Sequence, residues 1–149
     1  MSWPAVPPSA LAALRREYPT VDWSRVRWRA RLPWWARRSR ARAMVVPAWA
    51  SRFDVVVHVR EGVEPDLPLL RHEAFHVLQY QEGGPGWVPM RPFVVAYLLG
   101  ALRWGFGPAH VLEAPAYAAA RAGGAATSGF RLRRALRAVF TRRWPRSGS

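Results

Sequence analysis

The sequence predicts an α+β fold in which a small, mostly antiparallel three-stranded sheet is followed by a helical half. Three observations carry this reading. Residues 25–32, RVRWRARL, alternate Arg with apolar side chains, which is the period of a strand with one wet face. AMVVPAW from position 43 and FDVVVHV from position 53 are short β-branched runs. After Asp66 the apolar spacing changes to three and four residues and stays so to the end.

Taken in order, Ser9 is placed to cap a short first helix carrying Leu11 and Leu14, which should end before Pro19. The Arg-alternating strand stops at Pro33, and PWWARRSRAR (33–42) reads as a basic, Trp-rich connection. The second β run is interrupted at Pro47. REGVEPD (60–66) is the turn into the helices. A helix is expected from about Leu67 to Glu82, closed by Gly83 and Gly84. The next opens with Pro92 and contains FVVAYLLGALRW, apolar nearly all round and so expected to be buried. A third covers roughly Leu112–Arg121, AGGAATSG (122–129) is a joint, and a basic amphipathic helix is expected over about 128–144.

A chain of 149 residues suits one domain, here with its core over about 21–122. There is no Cys, which excludes disulfides, thiolate metal sites and a Cys nucleophile, so any metal must be held by the four His and nine acidic residues. All 23 basic residues are Arg, giving a net charge of +14. That charge attracts nucleic acid, anionic lipid or an acidic partner, although a GC-rich coding sequence produces the same composition. The N-terminal stretch has no basic and apolar leader pattern, and the longest apolar run, Phe93–Leu102, is shorter than the roughly 18–20 residues of a membrane span. The expected location is cytoplasmic, with peripheral attachment to a membrane surface left open.

The chemistry-bearing stretch is LLRHEAFHVLQYQEGG (69–84). On a helix His72 and His76 lie one turn apart on one face, so both imidazoles can reach one tetrahedral ion, and Glu73 can reach a water there without being a ligand. With four His and six Glu, shuffling would produce His-Glu-x-x-His in about 0.4 per cent of sequences of this length. The plainer alternative is two satisfied His on an amphipathic helix. A third protein ligand is needed, and position 82, where an extended motif has His, is Glu82. The candidates are Glu113, which opens a helix able to pack across the first, and His110 in the preceding loop. Glu113 could instead simply complement a helix dipole.

LLRHEAFHVLQY together with LEAPAYA (112–118) resembles the small bacterial zincin-like domains of gluzincin type, including the metallopeptidase-like domain of extracellular contractile injection systems. The resemblance covers roughly Arg25–Arg121. It implies a minimal zincin-like fold, Zn2+ held by His72, His76 and Glu113, Glu73 as general base, and a peptide or protein substrate. Many peptidases with this ligand set carry Asp four residues after the third ligand, where this chain has Tyr117. Gln79 and Asp54 are candidates to support the imidazoles, and Tyr117, Tyr80 and His110 to stabilise an oxyanion. Two other readings differ in class. One is an inactive zincin-like module that attaches to nucleic acid or an anionic membrane through its Arg faces, the Trp35–Arg42 segment among them. The other is a degenerate enzyme retained for assembly with a protein partner.

Overall fold

A computed structural model describes residues 6–48, 52–83 and 91–123, and positions 134, 137, 140 and 141 of a further helix. Of the expected joint at 122–129, Ala122 ends the last described full helix and Gly123 caps it, while 124–129 and most of the terminal helix lie outside the described residues. The elements run α1 (Pro8–Glu17), β1 (Val26–Arg29), β2 (Ala43–Pro47), β3 (Val55–Val59), α2 (Leu67–Glu82), α3 (Pro92–Trp104) and α4 (Glu113–Ala122), with single 3-10 turns at Trp23–Arg25 and Trp34–Ala36. The α+β class is therefore as the sequence predicts. Among the described residues no helix is long and apolar enough to cross a membrane.

The sheet is mixed rather than mostly antiparallel. Its order is β1-β3-β2, with β1 parallel to β3 (Val26 opposite Val55) and β2 antiparallel to β3 (Ala43 opposite Val59). Successive strands do reverse direction, but the connection over 30–42 steps over one strand position, and β3 fills the gap. The central place suits VVVHV: Val55, Val57, His58 and Val59 are all buried, as a strand covered on both faces requires. Pro47, which cannot donate to a ladder, ends the edge strand β2. β1 is shorter than its alternating pattern, because the chain bends after Arg29 and buries Leu32 beneath the connection.

α1 begins at Pro8 with Pro7 in the cap position, so Ser9 lies inside the first turn and does not cap it. Its C-terminal end is tied to α2 twice. Arg71 holds Glu17 through two hydrogen bonds of 2.8 and 2.7 Å, and the Tyr18 hydroxyl donates to the Arg71 carbonyl.

α2 is the central helix. Asp66 caps it by accepting from the Leu69 N–H at 2.8 Å, which leaves Pro68 in the first turn where its missing N–H costs nothing. From Glu73 to Tyr80 every residue is buried. α4 packs along α2 more extensively than any other helix, and β2 is the strand that packs most against it. Gly123 ends α4 at φ +63°, against the Arg71 guanidinium; a Cβ there would stand 2.8 Å from it. α3 differs from its expected burial. Only Phe93, Ala96 and Gly100 are buried, a stripe at spacings of three and four, while Leu98 and Leu102 face outward.

Candidate metal centre

A spacing of four on α2 brings the two imidazoles to one side of the helix. His72 and His76 present their Nε2 atoms 3.2 Å apart, and Glu113, the first residue of α4, brings Oε2 to 3.1 Å from His72 and 3.3 Å from His76. Pro115 is accommodated because it lies in the first turn of α4. Ligands at about 2.0–2.1 Å from a tetrahedral ion stand about 3.3 Å from one another. The triangle is therefore the size such an ion requires, and the three residues together could hold a metal.

Hydrogen bonding fixes which atoms face the centre. The Gln79 amide nitrogen donates to the Leu112 carbonyl at 3.1 Å, so its oxygen is the atom turned to His76 Nδ1, at 2.9 Å. That oxygen only accepts, so Nδ1 carries the hydrogen and Nε2 offers a lone pair. The fourth partner is Tyr97, on α3, whose hydroxyl donates to Glu113 Oε1 and leaves Oε2 for the two imidazoles. Burial works against the Glu113 carboxylate, but the two imidazoles and the Tyr97 hydroxyl around it outweigh burial and hold it well below the usual carboxylate range. Burial, then the neighbouring Glu113 carboxylate, push the Tyr97 phenol far up, so it stays a donor.

Glu73 is nearly inaccessible, and its Oε2 has no hydrogen-bond partner among the described residues. Burial pushes its carboxyl up to about 7, with His72 opposing the shift and Glu113 adding to it. An orphaned buried carboxylate oxygen beside a converging set of lone pairs is a polar group awaiting a partner.

The remaining candidates separate cleanly. Tyr117 lies against the His72 ring, centroids 4.5 Å apart, and is 38% exposed. Asp54 does not support the imidazoles, because Arg25 at 2.8 Å and Arg91 at 3.6 Å draw it to the sheet. Tyr80 is packed against Phe93, with the Arg91 guanidinium 4.0 Å from its ring centre and donating to its hydroxyl. His110 is not a ligand. Its Nδ1 accepts from the Leu112 N–H at 3.0 Å and its Nε2 donates to the Tyr97 carbonyl at 2.8 Å, so both nitrogens are used. Burial lowers its pKa and keeps it neutral.

Sequence reasoning missed Tyr97 and the Leu112 carbonyl. Neither carries a motif. Tyr97 stands in an apolar run, four residues after Phe93, where an aromatic side chain signals packing rather than a hydrogen bond to a ligand.

No protein-family model matches the chain, and no characterised protein or solved structure matches it at a significant level.

Proposed function

We propose that this protein is a zinc-dependent hydrolase whose substrate class is the peptide bond. The observation that carries the reading is the Nε2, Nε2, Oε2 triangle with the buried Glu73, whose Oε2 has no partner among the described residues, beside it. His72, His76 and Glu113 would hold the ion, and two imidazoles with one carboxylate suit zinc while leaving a position open. Once bound, zinc supplies Lewis acidity, which makes water nucleophilic near neutral pH and polarises a carbonyl.

The chain's own groups do the rest. Glu73, with its carboxyl near 7, takes a proton from the attacking water at Oε2 and returns it to the departing amine. Gln79 holds His76 in the tautomer that presents Nε2. Tyr97 keeps Glu113 engaged through one oxygen. Tyr117, which borders His72 and is partly open to solvent, would supply a phenol to the developing oxyanion. The edge strand β2, which packs against α2, would offer an extended peptide a place to add.

The test is metal content by mass spectrometry on wild type, His76→Ala and Glu113→Ala, with a peptide-library screen on wild type and Glu73→Gln. One zinc per chain lost in both ligand variants, and turnover lost in Glu73→Gln with zinc retained, is the expected result. Absence of metal after zinc addition, or full activity of Glu73→Gln, would overturn the reading.

A further inference from the structure

Between Asp22 and Asp54 the chain holds nine Arg and no acidic residue. Its connection over 30–42 is a built platform. Leu32 and Ala36 anchor it in the interior. The His58 Nδ1–H donates to the Arg31 carbonyl at 2.7 Å. Just beyond β3, the Arg60 guanidinium gathers the carbonyls of Arg37, Ser39 and Ala41, and the Arg60 N–H donates to the Arg42 carbonyl at 2.8 Å. Residues at the end of the central strand thus hold both halves of the connection. With its carbonyls turned inward to Arg60, the segment leaves Arg37, Arg38 and Arg40 exposed and without a carboxylate partner among the described residues.

At the front of this platform stand Trp34 and Trp35, 79% and 57% exposed. Two exposed indoles on an ordered turn are unusual. Trp23 and Trp28, by contrast, stack on each other and pack against the core. In a 3-10 turn successive side chains diverge by about 120°. A pair so splayed does not offer parallel faces to consecutive bases of one strand. A bilayer interface surrounds a protruding corner on several sides and accepts both rings at headgroup level.

We propose that the Trp34–Trp35 corner, flanked by Arg37, Arg38 and Arg40, docks the protein on an anionic lipid bilayer. The two indoles enter the headgroup layer, and the three guanidinium groups meet its phosphates and carboxylates. Neither signal alone holds a protein at a membrane, but the two on one rigid loop act together.

The test is flotation of the full chain at about 0.15 M salt, where distant charges are screened, with vesicles of phosphatidylcholine alone or mixed with phosphatidylserine. Wild type is compared with Trp34→Ser/Trp35→Ser, with Arg37→Gln/Arg38→Gln/Arg40→Gln, and with the equally discharged Arg15→Gln/Arg16→Gln/Arg121→Gln. Binding confined to phosphatidylserine vesicles, weakened about tenfold or more by the first two variants and about twofold or less by the third, is expected. No binding to phosphatidylserine vesicles, unchanged binding of the Trp variant, or equal weakening by both Arg triples would overturn the proposal. So would a defect of the Trp variant seen only with a single-stranded DNA oligonucleotide.

Discussion

The Gln79 side chain donates to the Leu112 carbonyl, and this one hydrogen bond couples the helix carrying both His to the residue that precedes Glu113. It orients the amide so that its oxygen receives His76 Nδ1–H. Replacing Gln79 with Leu keeps the bulk and removes both contacts. Zinc affinity should fall by about 10–100-fold, read by titration against a competing chelator. The metal-free protein should also lose about 1–3 kcal/mol, since a buried N–H and a buried carbonyl are left unpaired. Unchanged affinity would show that the imidazole is oriented by something else.

Tyr97→Phe removes only the hydroxyl that engages Glu113 Oε1. The ring stays between Phe93 and His110, so packing is kept. Zinc should bind about tenfold more weakly. With cobalt as a reporter ion, the absorption bands should shift as the carboxylate gains freedom to turn its second oxygen inward. A loss of stability without any change in affinity or spectrum would assign Tyr97 to packing alone.

Glu73 gives a pH dependence whose sign follows from burial. Its folded carboxyl titrates at about 7, above its ordinary value of 4.5, so between these values the folded protein binds more protons than the unfolded chain. Metal-free protein should therefore lose stability as pH rises from about 4.5 to 7, by about 3 kcal/mol in all. Glu113 acts in a different window: its depressed pKa adds stability above about 4.5 that is lost as pH falls below it. Glu73→Gln should match wild type near pH 4.5 and exceed it at pH 8. Denaturant unfolding at the two pH values, with chelator present, checks this.

The His72, His76, Glu113 cluster is legible in the sequence where it depends on local geometry. A spacing of four on a helix determines how His72 and His76 meet, and Gln79, three residues beyond His76, follows from the same helix. Glu113 follows from a helix that opens at it and can pack across α2, although a carboxylate there could equally complement the helix dipole. What could not be read depends on contacts between distant elements. The parallel pairing of β1 with β3 is settled by which strand fills the gap left by the connection over 30–42. The place of Asp54 cannot be read because Arg25 and Arg91, 29 and 37 positions away, hold it. α3 reads as buried because its apolar content is high, whereas its orientation is set by the narrow stripe of Phe93, Ala96 and Gly100.

That stripe leads to a prediction in which two effects of opposite sign compete. Gly in a helix interior ordinarily costs about 1 kcal/mol relative to Ala, so Gly100→Ala should stabilise α3 on propensity alone. A Cβ at position 100, however, would stand 2.6 Å from His110 Nε2 and 2.7 Å from its Cε1. The ring has nowhere to move, because both nitrogens are hydrogen-bonded and the side chain is fully buried. Overpacking of this kind costs about 1–3 kcal/mol, so the clash should win and the melting temperature should fall. Displacement of the ring also strains the Leu112 N–H bond next to Glu113, so zinc affinity should fall with it. Gly100→Ala combined with His110→Ala isolates the contact: substitution at Gly100 should be neutral or stabilising once the imidazole is gone. A rise in melting temperature for Gly100→Ala alone would mean that His110 is not seated on Gly100.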